Sequence, residues 1–131
     1  MKSIRTRKHE EEDKIVGLGQ TLSLIDHQIE NLRKLSFPQE LVQLNLHCNN
    51  IKKIENFQNL VNLQSLDLSS NQIEKIEGLE YLATLKVLNL SCNQIEIISG
   101  LRSLRYDECS MFYLILCWKG SNYIIDSIIR H

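Results

Sequence analysis

The reactive side chains of this sequence are few, and the neighbours His47 and Cys48 are the pair best placed to do chemistry. An imidazole nitrogen beside a thiolate is a ligand combination that zinc favours. The other cysteines, Cys92, Cys109 and Cys117, complete no CxxC pair and no spacing typical of a metal site. We therefore expect no metal ion and no cofactor. We expect the thiols to be reduced, as in an intracellular protein.

Acid–base and nucleophilic chemistry has no stronger support. No serine, histidine and carboxylate follow a catalytic motif, and no glycine-rich phosphate-binding loop is present. The glutamates Glu55, Glu74, Glu77 and Glu96 recur at matching positions of the chain, which is typical of a solvated surface. We predict no catalytic residues and expect that the protein is not an enzyme.

The composition limits the remaining classes. The chain has 131 residues, 43% of them hydrophobic, which is enough for one domain with a buried core. A net charge of −1 provides no general attraction to nucleic acid or anionic membranes. The longest apolar run, 111–118, is far shorter than the ~20 residues of a membrane-spanning helix, and the N-terminus lacks the apolar core of a secretory signal. We expect a cytoplasmic protein.

Three segments share one sequence motif at an interval of 22 residues: LNLHCNN at 44–50, LDLSSNQ at 66–72 and LNLSCNQ at 88–94. Such a period is typical of a solenoid, in which each repeat stacks on its neighbours. An amphipathic helix would not return asparagine to one phase every 22 residues. Full copies occupy 41–62, 63–84 and 85–106, and their shared apolar columns are Leu41, Leu63, Leu85; Leu44, Leu66, Leu88; Leu46, Leu68, Leu90; Ile51, Ile73, Ile95; Ile54, Ile76, Ile98; Phe57, Leu79, Leu101; and Leu60, Leu82, Leu104.

A degenerate copy precedes the full ones. His27 stands in the asparagine column and Pro38 in a leucine column, so we predict that residues 18–40 form an N-terminal capping repeat. Residues 1–17 mix basic and acidic side chains, and we expect a disordered arm there. The columns that persist in the degenerate copy are Leu22, Leu24, Ile29, Leu32 and Leu35.

The pattern breaks again in residues 107–131, an irregular C-terminal segment. With an insertion of four residues, Met111, Leu114 and Leu116 supply the strand columns of a last coil. The isoleucines from 124 to 129 have helical spacing, which predicts a helix over the open end of the stack. A native cap, a splice-variant ending and a truncated gene model are three readings that the sequence leaves open.

The consensus LxxLxLxxNxIxxIxxLxxLxx resembles the leucine-rich repeat, in the 22-residue subclass typified by regulatory subunits of type 1 phosphatase. The resemblance covers residues 22–106. It implies an α/β solenoid: a short right-handed superhelix with a parallel β-sheet on its concave face and 3₁₀ or short helical turns on its convex face.

The alternation of side chains along a strand predicts which residues face the core. Leu44 and Leu46 point inward, so their neighbours point out from the concave face. We call this outward set the sheet face and predict that it binds another protein, with plain solvation as the alternative at any single position. The sheet face comprises Gln43, Asn45, His47, Ser65, Asp67, Ser69, Val87, Asn89 and Ser91.

Asn49, Asn71 and Asn93 share one column after the strands, and we predict that they form a buried structural ladder. A carboxamide carries both donors and an acceptor, so each asparagine can satisfy the loop of its own copy and that of the next. Gly78 and Gly100 share a column with Asn56, which predicts a positive φ at all three positions.

The stretches LHCNN and LSCN within the repeats resemble the N-terminal repeats of the leucine-rich repeat and coiled-coil centrosomal proteins. This resemblance implies an adaptor at centrosomes, centrioles or cilia that helps to organise spindle poles. Those proteins continue into a coiled coil, whereas this chain has no sustained heptads.

A regulatory subunit of type 1 phosphatase and a structural subunit of an RNA–protein particle are the alternatives. The near-neutral charge argues against direct contact with RNA. We expect a monomer that binds another protein and makes no direct contact with nucleic acid or membrane.

Overall fold

A β-sheet built from successive repeats organises the molecule. The computed structural model describes residues 20–101, 104, 113–118 and 121–126, with side chains up to residue 104 and at Leu114. The first five strands are parallel neighbours in chain order, and the sixth pairs antiparallel with the fifth. The strands are β1 (Gln20–Ser23), β2 (Leu41–Asn45), β3 (Ser65–Asp67), β4 (Val87–Asn89), β5 (Tyr113–Trp118) and β6 (Ser121–Asp126).

The 22-residue period sets the register between strands. Leu44 pairs with Leu66, Leu66 with Leu88, and Leu88 with Leu114. Hydrogen bonds between coils continue past the strand ends, since the N–H of Leu46 donates to Asp67 O at 2.8 Å and that of Cys48 to Ser69 O at 3.0 Å. This arrangement is the predicted short solenoid with a parallel sheet.

Leucines and isoleucines of the repeated columns form one continuous core. One repeat cannot bury its own apolar edge, but stacked repeats cover one another. Leu66 and Leu68, in the middle coil, are both completely buried. Burial of each such side chain contributes roughly 1.5–3 kcal/mol. The completely or almost completely buried side chains are Leu32, Leu41, Leu44, Leu46, Ile51, Ile54, Phe57, Leu60, Leu63, Leu66, Leu68, Ile73, Leu79, Leu82, Leu88, Leu90 and Leu114.

The return path of each coil is made of tight turns. The N–H of Leu60 donates to Phe57 O at 3.1 Å, and Leu82 and Leu104 repeat this bond to Leu79 and Leu101. In the described part of the chain the only helix is a 3₁₀ turn at Leu32–Lys34, which Asn31 caps by accepting from Arg33 N–H at 2.8 Å. No described helix has the length and apolar character needed to cross a membrane.

The glycine column has the predicted positive φ, with values of 72° at Asn56, 73° at Gly78 and 74° at Gly100. The backbone at Gly78 also lies close to the preceding coil, because an added Cβ would lie 2.3 Å from Ile54 O. Asn56 meets its preceding coil differently, since its amide donates to the carbonyls of Leu32 and Leu35 at 2.8 Å.

The first described coil keeps the 22-residue register from Thr21 onward but differs from the full repeats in two details. A bulge between Gln20 and Thr21 interrupts the pairing of β1 with β2. Phe37, which belongs to none of the repeated apolar columns, is buried and packs its ring 5.8 Å from that of Phe57. Leu35, in the column of Phe57, is only half-buried and packs against the edge of the core.

The C-terminal end confirms one sequence-based expectation and corrects two. The pairing of Leu88 with Leu114 agrees with an insertion of four residues. The expected helix is wrong for Ser121–Asp126, which is β6. The β-branched Ile124 and Ile125 favour a strand, and a connection of two residues suits an antiparallel hairpin with β5.

The second correction concerns the last member of the second isoleucine column, which the sequence predicts to be buried. Ile98 is 39% exposed, whereas Ile54 and Ile76 in the same column are buried. Ile76 is covered by the next coil, to which Ile98 belongs. Ile98 lies in the last full copy, and the described residues include no further return path that would cover it in the same way. The predicted arm 1–17 and the rest of the tail lie outside the described residues.

Candidate functional site

The asparagine column joins adjacent coils through side-chain hydrogen bonds. Asn71 Oδ1 accepts from Ile51 N–H at 2.9 Å, while its Nδ2 lies 3.0 Å from Leu46 O and 3.1 Å from Leu68 O. Asn93 repeats these contacts one coil later, with Ile73 N–H at 2.9 Å from its Oδ1. Each asparagine therefore bonds its own loop and the loop of another coil.

The direction of this linkage corrects the sequence-based expectation. The bonded neighbour is the preceding coil, as Asn49 shows by accepting from Ile29 N–H at 3.0 Å and donating to Leu24 O at 2.9 Å. From the sequence we expected each asparagine to bond the following coil instead. His27 lies in the same column of the first coil. It contributes to the linkage through its backbone N–H, which donates to Asn49 Oδ1 at 2.9 Å, and not through its side chain.

The sheet face forms three rows that run across β2, β3 and β4, and the register brings together the residues predicted from the sequence. The first row consists of Gln43, Ser65 and Val87, whose side chains make no hydrogen bond within the described residues. The second row is Asn45, Asp67 and Asn89. The third row is His47, Ser69 and Ser91, just beyond the strand ends.

The second row has a structural role that the sequence analysis missed. Asn45 Oδ1 accepts from His47 N–H at 2.9 Å, Asp67 Oδ1 from Ser69 N–H at 2.9 Å, and Asn89 Oδ1 from Ser91 N–H at 3.0 Å. Such bonds, from a side chain to the backbone two residues later, define Asx turns. The recurring pattern of Asn or Asp, any residue, then Ser or His was the sequence signal for them.

A hydrogen-bonded chain of three side chains links the second and third rows. Ser69 Oγ donates to Asp67 Oδ1 at 2.5 Å, and His47 Nδ1 lies 2.8 Å from Ser69 Oγ. Ser69 is 5% exposed, which corrects its predicted place among the outward-facing binding residues. Because serine lies between histidine and aspartate, this order differs from a Ser-His-Asp triad, in which histidine is central.

His47 and Cys48 do not build the metal site that their adjacency suggests. Cys48 takes a left-handed φ of 62°, and its thiol is free and exposed, like that of Cys92. Within the described residues, no three histidine, cysteine, aspartate or glutamate side chains come together in a way that could hold a metal ion.

Comparison with protein families agrees with this geometry. The family model for leucine-rich repeats in two copies matches residues 39–81 and again residues 61–103. Residues 39–103 are leucine-rich repeats. No curated protein matches the chain at a significant level.

The leucine-rich repeats explain what the columns do in this chain. Their leucines build the core, their asparagines join the coils, and their strands present the sheet face. As a family, leucine-rich repeats are generally non-catalytic interaction domains, so these repeats indicate a protein–protein interaction module.

Proposed function

We propose that the chain is a non-catalytic adaptor that binds a partner protein on its sheet face. One observation carries the proposal: the three rows run across β2, β3 and β4, which are adjacent parallel strands in fixed register. No other strand of the described chain lies between these three. Asx turns hold the second row rigidly, so a partner would meet preorganised polar groups. Preorganisation reduces the entropy lost on binding.

The site of action that we propose is the centrosome, centriole or cilium, in the context of spindle organisation. Support for this location comes from the resemblance of LHCNN and LSCN to the centrosomal leucine-rich repeat proteins. We also propose that residues 18–40 cap the stack, since β1 pairs with β2 and His27 replaces the linking asparagine.

The first row offers a test that spares the fold. Ser65 and Val87 make no side-chain hydrogen bond among the described residues, and both are half-buried on the sheet face. The double variant Ser65→Arg/Val87→Arg should block a partner by bulk while leaving the Asx turns intact. A matched control, Val61→Arg/Ala83→Arg, adds the same two positive charges at exposed positions of the return path that are also 22 residues apart.

Proximity labelling in dividing cells would compare wild type, the sheet-face variant and the control. We expect wild type and the control to label the same proteins, centrosomal ones among them, and the sheet-face variant to lose them. Equal labelling by all three would refute the sheet face as the interface. Strong labelling without centrosomal proteins would leave the adaptor but refute the location. A phosphatase catalytic subunit or RNA-particle proteins in the labelled set would instead support one of the alternatives.

A further inference from the structure

The second row leaves a defined set of groups free for a partner. Asn45, Asp67 and Asn89 each use Oδ1 for an Asx turn. The other terminal atom is therefore the amide Nδ2 of Asn45 and Asn89 and the second carboxylate oxygen of Asp67. Parallel strands lie about 4.8 Å apart, so the row offers donor, acceptor and donor at that spacing.

The direction of the proton in the serine–aspartate bond follows from the neighbouring coil. Ser91 Oγ lies 2.8 Å from Asn89 Oδ1, an amide oxygen that can only accept, so the serine hydroxyl donates. Ser69 occupies the same position beside Asp67, at 2.5 Å, which is typical of a hydroxyl donating to a carboxylate. The single hydroxyl proton of Ser69 is thus committed to Asp67.

This commitment fixes the tautomer of His47. Ser69 Oγ has no proton left for the imidazole, so His47 Nδ1–H must donate to it across 2.8 Å. In the neutral imidazole the lone pair is then on Nε2. Nε2 becomes a second acceptor on a side chain that Ser69 links to the carboxylate of Asp67, and both side chains are half-buried on the sheet face.

We propose that Asp67 and His47 together receive a cationic hydrogen-bond donor, a lysine or arginine side chain of the partner protein. Asp67 is the only carboxylate among the nine residues of the sheet face, and that face contains no lysine or arginine. A half-buried carboxylate attracts a cation more strongly than a fully solvated one. This assignment rests on the proposed function, because it names the chemistry of the partner at the same face.

The neighbouring repeats supply the replacement residues for two substitutions. Asp67→Asn gives the row three asparagines, the residue that already forms the Asx turn at Asn45 and Asn89, so this variant should fold and lose only the charge. His47→Ser likewise copies Ser69 and Ser91 of the third row. Both substitutions remove a proposed acceptor without adding bulk.

A phage-displayed library of random peptides, selected on the purified protein, supplies the ligand. We expect the selected peptides to share a lysine or arginine, and their affinity to fall about ten- to hundredfold with Asp67→Asn. His47→Ser should weaken the same peptides less, because the Nε2 acceptor is uncharged. Replacing the shared basic residue of the peptide by glutamine should abolish the difference between wild type and Asp67→Asn.

The possible outcomes separate the two proposals. Peptides that bind wild type but not Ser65→Arg/Val87→Arg, yet carry no basic residue or ignore Asp67→Asn, would refute the cation site and leave the sheet-face function standing. Peptides that bind the double variant as well as wild type, or no peptides at all, would count against the sheet face and against the cation site with it.

NMR of the imidazole nitrogens tests the tautomer without a partner. We expect an unprotonated Nε2 on neutral His47, and a shift toward protonated Nε2 in Ser69→Ala. His27 is an internal reference, because its Nδ1 lies 2.9 Å from Ile25 O, an acceptor that likewise requires Nδ1–H. Protonated Nε2 on His47 in the wild-type protein would overturn the assignment of its acceptor role.

Discussion

The substitution Asn71→Ala tests the linkage between coils at a buried asparagine of the middle repeat. Asn71 is 7% exposed and contacts four backbone groups. Its Oδ1 is the only acceptor among the described residues for the N–H of Ile51, itself completely buried. Its amide donates to carbonyls that have other donors as well, so the four contacts are not equally important.

The carbonyl oxygens keep a partner after the substitution. Leu46 O also receives Asn49 Nδ2 at 3.0 Å, Leu68 O receives Asn93 Nδ2 at 2.9 Å, and Ser69 O receives Cys48 N–H at 3.0 Å. The lasting defect is therefore one buried, unpaired N–H at Ile51. Such a group costs about 1–3 kcal/mol, and we expect the free energy of unfolding to fall by about 2 kcal/mol.

Urea denaturation followed by circular dichroism measures this loss. With a denaturant slope of about 2 kcal/mol per molar urea, a loss of this size lowers the midpoint by about 1 M. Asn59→Ala is the matched control, because Asn59 is exposed and its side chain makes no hydrogen bond within the described residues. We expect it to change the free energy by less than about 0.5 kcal/mol.

The variant Asn71→Asp separates the acceptor role from the donor role. It restores an oxygen for Ile51 N–H but directs a carboxylate at three carbonyl oxygens, so it should be less stable than Asn71→Ala. An Asn71→Ala midpoint equal to that of Asn59→Ala would refute the linkage. An Asn71→Asp variant as stable as wild type would show that the donor contacts do not contribute.

Three further comparisons between variants test the backbone and the first coil by the same urea assay. Gly78→Ala should lose about 2 kcal/mol or more, because its Cβ would lie 2.3 Å from Ile54 O at a φ of +73°; a loss below that of Asn59→Ala would contradict the close approach. Ser70→Val should lose about 1–2 kcal/mol, because a β-branched residue must adopt a φ of 57°, whereas Ser70→Gly should not be destabilised. Phe37→Ala should lose about 3 kcal/mol and Leu35→Ala clearly less, and the reverse order would show that Leu35 contributes more to the core than Phe37.

The full repeats could be predicted almost completely, and the reason is their redundancy. A column such as Leu44, Leu66 and Leu88 has the same residue at the same structural position in three repeats. The assignment of that position to the core therefore does not depend on any single residue. The ends carry no such redundancy. In the first coil, β1 has a bulge and Phe37 packs against Phe57, and neither feature follows from the consensus.

The candidate site was predictable in position and incomplete in chemistry. Alternation along the strand places Asn45 and Asp67 on one face, but it says nothing about which of their atoms are already bonded. That depends on the turn beyond the strand, where Ser70 adopts a φ of 57° without being glycine. The contact of His47 with Ser69 joins residues 22 apart and depends on a rotamer, which no column of the repeat specifies.

The same side chains that could bind a partner also end the strands, and this limits how the sheet face can change. Any residue at position 45, 67 or 89 must keep an oxygen for the Asx turn, so asparagine and aspartate are the replacements that preserve it. Exchange between these two residues alters charge and hydrogen-bond polarity on the face while the turn stays the same. A bulky substitution there would disturb the turn and the interface together, so its effect on binding could not be assigned to either. The first row lacks this constraint, because Ser65 and Val87 make no such bond within the described residues, and steric tests of binding therefore belong there.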